Sequence, residues 1–94
     1  MKVDYESQAD TLQIDLVEAD HVDRSDRSIP LTVVEVAGEK PIGIDLHEVS
    51  THGTDAPLRA VAQKYDLDEH ELIAAGRAAL EMPDRTITLD FDES

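Results

Sequence analysis

Apolar and polar positions alternate from the start of the chain. Val3 and Tyr5 interleave with Lys2 and Asp4, and Leu12, Ile14 and Leu16 interleave with Gln13 and Asp15. A period of two over such short runs predicts two strands, each with one buried face. Glu6-Ser-Gln-Ala-Asp10 between them is rich in residues whose side chains bond to nearby backbone, so it predicts a turn and an antiparallel hairpin. Ala19 to Ser28 is polar throughout and reads as a surface loop. Ile29 to Val36 is β-branched enough for a third strand, but its alternation breaks at Val33-Val34, which calls for two covered faces or a bulge. After the Ala37-Gly-Glu-Lys-Pro41 turn, Ile42, Ile44 and Leu46 alternate with Gly43, Asp45 and His47 as a fourth strand.

The period changes after Ser50. Thr51 to Pro57 reads as a linker in which Thr54 or Asp55 caps a helix and Pro57 sits in its first turn. Leu58, Val61, Ala62 and Tyr65 then fall on one helical face. Asp68 and Glu71 have capping-box spacing, and the second helix, with Leu72, Ile73, Gly76, Ala79 and Leu80 inward, stops before Pro83. Ile87, Leu89 and Phe91 alternate with Thr86, Thr88 and Asp90, predicting a last strand from Thr86 to Asp92. The expected fold is α+β: a small antiparallel sheet of four to five strands with two C-terminal helices packed on one face. Residues 1–94 make one domain, a β meander over 1–50 followed over 51–94 by a helical hairpin and a final strand. That strand carries an apolar stripe and must find an edge on its own sheet or on a second subunit, from which we expect a homodimer.

Charge changes the picture more than size does. Twenty-two acidic residues against eight basic ones give a net charge of −14. Such a field repels nucleic acid and anionic membranes and attracts basic proteins, so a small basic protein is the expected partner. The competing reading is solvation: thirteen Asp against three Lys also suits a salt-adapted proteome. The chain has no cysteine, which excludes disulfides, thiolate metal sites and a cysteine nucleophile. It has no apolar stretch of signal-peptide or membrane-span length, and the cytoplasm is the expected location.

Candidate chemistry is sparse. Asp10, in the first turn, reads as a carboxylate accepting backbone N–H groups rather than as a catalytic acid. Asp45 and His47 share a strand face, with Glu48 and His52 following, but the spacing matches no metal signature. His21 and His70 stand in polar surroundings. The two helices have the apolar spacing of a helix-turn-helix reader, yet the groove-facing end of the second would present Asp68, Glu69, His70 and Glu71 where phosphates demand Arg or Lys. No phosphate loop, G-x-S-x-G elbow or H-E-x-x-H is present. We assign no catalytic, cofactor-binding or metal-binding residue and no cofactor.

Two segments carry a resemblance. Tyr5 to Ile14 reads Y-E-S-Q-A-D-T-L-Q-I, and Gly43 to Ser50 reads G-I-D-L-H-E-V-S. Together they resemble a family of short bacterial and archaeal proteins known only as a domain of unknown function. Its members open with Y-D-x-x-A-D-x-L-Y-I and close on a G-I-E-I strand ending in Ser. The chain departs from that pattern at Gln13, where the family has Tyr, and at Gly38-Glu-Lys-Pro41, where it has an acidic-Gly hairpin. The resemblance covers the first half of the chain and implies a small antiparallel sheet. Some members are encoded beside small toxin-like proteins, which implies an antitoxin-like role. The expected function is a non-catalytic protein-interaction module, antitoxin-like. The alternatives are a helix-turn-helix DNA-binding regulator and a small metal-dependent enzyme.

Overall fold

The computed structural model describes residues 1–91. The chain runs through β1 (Lys2–Glu6), β2 (Thr11–Asp15), β3 (Arg24–Asp26), β4 (Thr32–Ala37), β5 (Lys40–His47), α1 (Val49–His52), α2 (Asp55–Tyr65), α3 (Glu69–Glu81) and β6 (Thr86–Thr88). The strands form a single sheet in the order β3-β4-β5-β2-β1-β6, every neighbouring pair antiparallel. The α+β class and the antiparallel sheet are as expected; the sheet has six strands rather than four to five, and there are three helices rather than two.

The extra elements are those without an apolar period. β3 lies inside the predicted loop. Its Arg-Ser-Asp sequence shows no alternation because it is an edge strand, holding to β4 through Arg24↔Val36 and Asp26↔Val34. α1 is one turn, too short for a helical repeat. It begins at Glu48, which takes a left-handed φ of 53°. Its first N–H groups are satisfied from another part of the chain: Val49 donates to the Asp10 carbonyl and Ser50 to the Asp10 carboxylate.

Cross-strand partners share a face. Ile87, Val3, Ile14, Ile44 and Val34 therefore form one row on the helix side, and Tyr5, Leu12, Leu46 and Thr32 the next. With Leu58 and Val61 of α2 and Leu72, Ala75 and Ala79 of α3 they make the core, most of it fully buried. α3 lies over β1 and β2, while α2 reaches toward β3 through Lys64 and Tyr65. Val33 and Val34 are both buried although they face opposite sides, and the bulge lies next to them, between Glu35 and Val36.

Capping follows expectation at α3, where the Asp68 carboxylate accepts from the Glu71 N–H at 3.1 Å. At α2, Thr54 is the N-cap by position but makes no side-chain cap, and Asp55 instead pairs with Arg77 at 2.7 Å. Leu80, expected in the core, is 38% exposed, and Ala75 is buried in its place. β6 is shorter than the predicted last strand, and Asp92 lies outside the described residues. It finds its edge on β1 of its own chain, so its apolar stripe does not require a second subunit. No helix among the described residues is long and apolar enough to cross a membrane.

Candidate functional site on the open sheet face

The face of the sheet turned away from the helices has no layer of secondary structure over it among the described residues. One of its rows reads Thr86, Asp4, Gln13, Asp45 and Val33, and the next reads Thr88, Lys2, Asp15, Gly43, Glu35 and Ser25. Period-two alternation sends the apolar side chains of β1, β2 and β5 to the core, so their acidic neighbours must meet here. Four carboxylates from four strands converge: Asp4, Asp15, Glu35 and Asp45. One cation, Lys2, shares their rows. The chain from Leu16 to Val22 leaves β2 and borders the face, where Gln13, Asp15, Glu35 and Asp45 line an open basin of about 880 Å³. Val17 and Val22 stand on its rim, 47% and 44% exposed.

The electrostatics of this face are unfavourable to the folded chain. Burial pushes the Asp45 carboxyl above its ordinary value; Glu35, Asp15 and Asp4 add to the rise, and His47 opposes it. Burial likewise raises Asp4, with Glu6 and Asp15 adding. The ion pairs of the described residues lie outside these two rows: Lys64–Asp26, Arg77–Asp55, Arg59–Glu69 and, in the loop that borders the face, His21–Asp23. Carboxylates are thus crowded on one face with Lys2 as the one Lys or Arg in their rows, while Arg59, Lys64 and Arg77 pair with carboxylates elsewhere.

Three other carboxylates have the opposite character. Asp10 accepts from the Ser50 hydroxyl at 2.6 Å, the Tyr5 hydroxyl at 2.6 Å and the Ser50 N–H at 2.9 Å. These bonds hold its pKa below the ordinary value. The expected role as a backbone acceptor is present, but the N–H comes from α1, not from the turn itself. Asp84 repeats the device on Ser7, taking its N–H at 2.9 Å and its hydroxyl at 2.7 Å, and its pKa is lowered for the same reason. Asp26 joins β3 to the end of α2, accepting from Lys64 at 2.6 Å and from the Tyr65 hydroxyl, and it is held well below the carboxylate range. These are clasps: each carboxylate joins two parts of the chain, and the second Asp26 oxygen also accepts from the Ser28 N–H at 2.9 Å.

Asp45 and His47 do share the open face, as their spacing predicts, with Glu48 in the turn beyond and His52 at the end of α1. No group of three or more histidine and acidic side chains among the described residues could hold a metal ion. Asp4, Asp15 and Glu35 were not singled out from the sequence. Alternation alone puts each on a polar face, but only the strand order shows that the faces are one. No protein-family model, curated protein or solved structure matches the chain.

Proposed function

We propose that the protein is a non-catalytic interaction module that receives a basic protein segment on the open face of its sheet. The observation that carries this reading is the set of four carboxylates, Asp4, Asp15, Glu35 and Asp45, gathered in two adjacent rows in which Lys2 is the one Lys or Arg and none of the ion pairs of the described residues lies. Crowded like charges cost stability, and a basic partner converts that cost into attraction and faster encounter. Val17 and Val22 on the rim offer apolar contact to a partner that also carries hydrophobic groups. The antitoxin-like role implied by the sequence resemblance is one form such an activity takes.

The test compares two variants that remove equal charge. Asp15→Asn with Glu35→Gln and Asp45→Asn neutralises the face, and Glu39→Gln with Asp66→Asn and Glu81→Gln neutralises exposed positions elsewhere. A fluorescein-labelled octa-arginine peptide, titrated by anisotropy in ~0.1 M salt, where exposed charges interact over about 10 Å, should bind the second variant like the parent and the first more weakly. Equal losses in both would show that total charge, not this face, attracts the peptide. A labelled DNA duplex should give a flat titration, since no basic stripe offers phosphate contacts; saturable binding would favour the helix-turn-helix reading.

A further inference from the structure

The sheet ends at β6, and among the described residues no further strand pairs with its outer edge. Leu89 and Met1 exchange hydrogen bonds in both directions, at 2.8 and 3.3 Å, and Ile87 stands opposite Val3 in the same register. In an antiparallel pair, bonding alternates along the strand. The N–H and C=O groups of Thr86 and Thr88 therefore point away from β1. β6 is Thr-Ile-Thr, with β-branched side chains, no charge and no proline, so its short length is what blunts this edge. The opposite edge, β3, is Arg-Ser-Asp, and its Asp26 is tied to Lys64 and Tyr65.

We propose that the basic partner docks by adding an extended segment along β6 as a seventh strand, its alternate side chains continuing the two faces of the sheet. This rests on the reading of the open face as the site for a basic partner, and it names the mode of binding. Residues of the added strand beside Thr86 and Thr88 would extend the rows of Asp4 and Lys2, so they lie at the margin of the acidic face. Residues beside Ile87 would extend the core row, next to the half-buried Ile87. The fitting segment is therefore basic at alternate positions and apolar between them. Charge selects this occupant over a second copy of the chain. Exposed Asp84 and Asp90 bracket β6, and a two-fold pairing about Ile87 would place Asp84 of each copy opposite Asp90 of the other. Each copy also carries −14.

The probe is a labelled seven-residue peptide alternating Lys and Val, blocked at both ends. Thr88→Pro removes an outward N–H and puts a ring in the path of an added strand, while the bonds to β1 come from Ile87 and Leu89. It should leave the melting temperature near that of the parent and weaken peptide binding about tenfold, the equivalent of losing one or two hydrogen bonds. Thr88→Ala should bind like the parent. A peptide N-methylated at alternate residues should lose binding to the unaltered protein, which gives the same test if Thr88→Pro fails to fold. If Thr88→Pro and the N-methylated peptide both bind normally while neutralising Asp15, Glu35 and Asp45 weakens binding, the edge proposal is wrong and the face reading stands. If this peptide does not bind while octa-arginine does, the edge proposal alone falls; if neither binds, both fall. A dimer in sedimentation equilibrium that Thr88→Pro dissociates would assign the edge to a second copy and overturn the proposal.

Discussion

The Asp10 carboxylate holds Ser50 by both its backbone N–H, at 2.9 Å, and its hydroxyl, at 2.6 Å, across 40 residues of chain. This pair fixes α1 to the first hairpin, with the Tyr5 hydroxyl as third donor. Tyr5, Asp10 and Ser50 belong to two segments far apart in the sequence, Tyr5 to Ile14 and Gly43 to Ser50, which meet in a structural clasp.

Removing that clasp should lower stability without touching the open face. Asp10→Asn keeps one oxygen acceptor but loses the charge that strengthens all three bonds. Thermal unfolding should show a lower melting temperature for Asp10→Asn than for Asp15→Asn, which removes the same charge from the open face. The double variant with Ser50→Ala should cost less than the sum of its parts, because the two act through one interaction. Additive losses would show that Asp10 acts without Ser50.

Stability should pass through a maximum as pH falls. Asp4 and Asp45 have raised pKa values, so the folded chain takes up protons before the unfolded one as pH falls from 7 toward the ordinary carboxylate value of 3.8. By linkage stability increases in that window. Asp10, Asp26 and Asp84 have lowered values, so the stability they contribute is full above 3.8 and is lost as pH falls further, through their folded-state pKa values. A melting series in sodium chloride buffers should rise and then fall, and added salt at pH 7 should raise the melting temperature by screening the open face. A steady decline from pH 7 with no effect of salt would show that the clasps outweigh the repulsion throughout.

Gly76 is the contact point of α2 and α3. A Cβ there would meet Leu58 Cδ1 at 2.9 Å and the Thr54 Cβ and Oγ1 at 3.2 Å. Alanine is favoured over glycine inside a helix by ~1 kcal/mol, whereas overpacking a tight contact costs ~1–3 kcal/mol. Leu58 is fully buried and Thr54 nearly so, which leaves neither room to yield. Gly76→Ala should therefore destabilise, by about 1 kcal/mol in urea unfolding. A gain in stability would mean that the helix pair can separate at little cost.

Legibility followed burial. β1, β2, β5 and the two longer helices could be read because each buries one face of a regular period, and Asp68 followed by Glu71 marks the start of α3. β3 could not, since a polar edge strand earns its place through backbone bonds and the pairing of Asp26 with Lys64 and Tyr65. α1 depends on Asp10, a partner no local pattern reveals. Of the open face, the placing of Asp45 and His47 on one side of β5 was legible by alternation. The convergence of Asp4, Asp15 and Glu35 upon them was not, because it follows from strand order, which side-chain periodicity does not encode.

On the proposed function, the open face keeps carboxylates at a cost to stability because a basic partner uses them. Asp45 sits at the centre of that claim, desolvated and beside Glu35, Asp15 and Asp4. The most direct measurement takes Asp45→Asn through thermal unfolding at pH 7 and through titration with the octa-arginine peptide. Opposite signs are expected: a melting temperature raised by about 4–8 °C per kcal/mol of relieved repulsion, and a weaker peptide complex. A lower melting temperature would show that Asp45 serves the fold, and unchanged affinity would show that the open face is not where the basic partner binds.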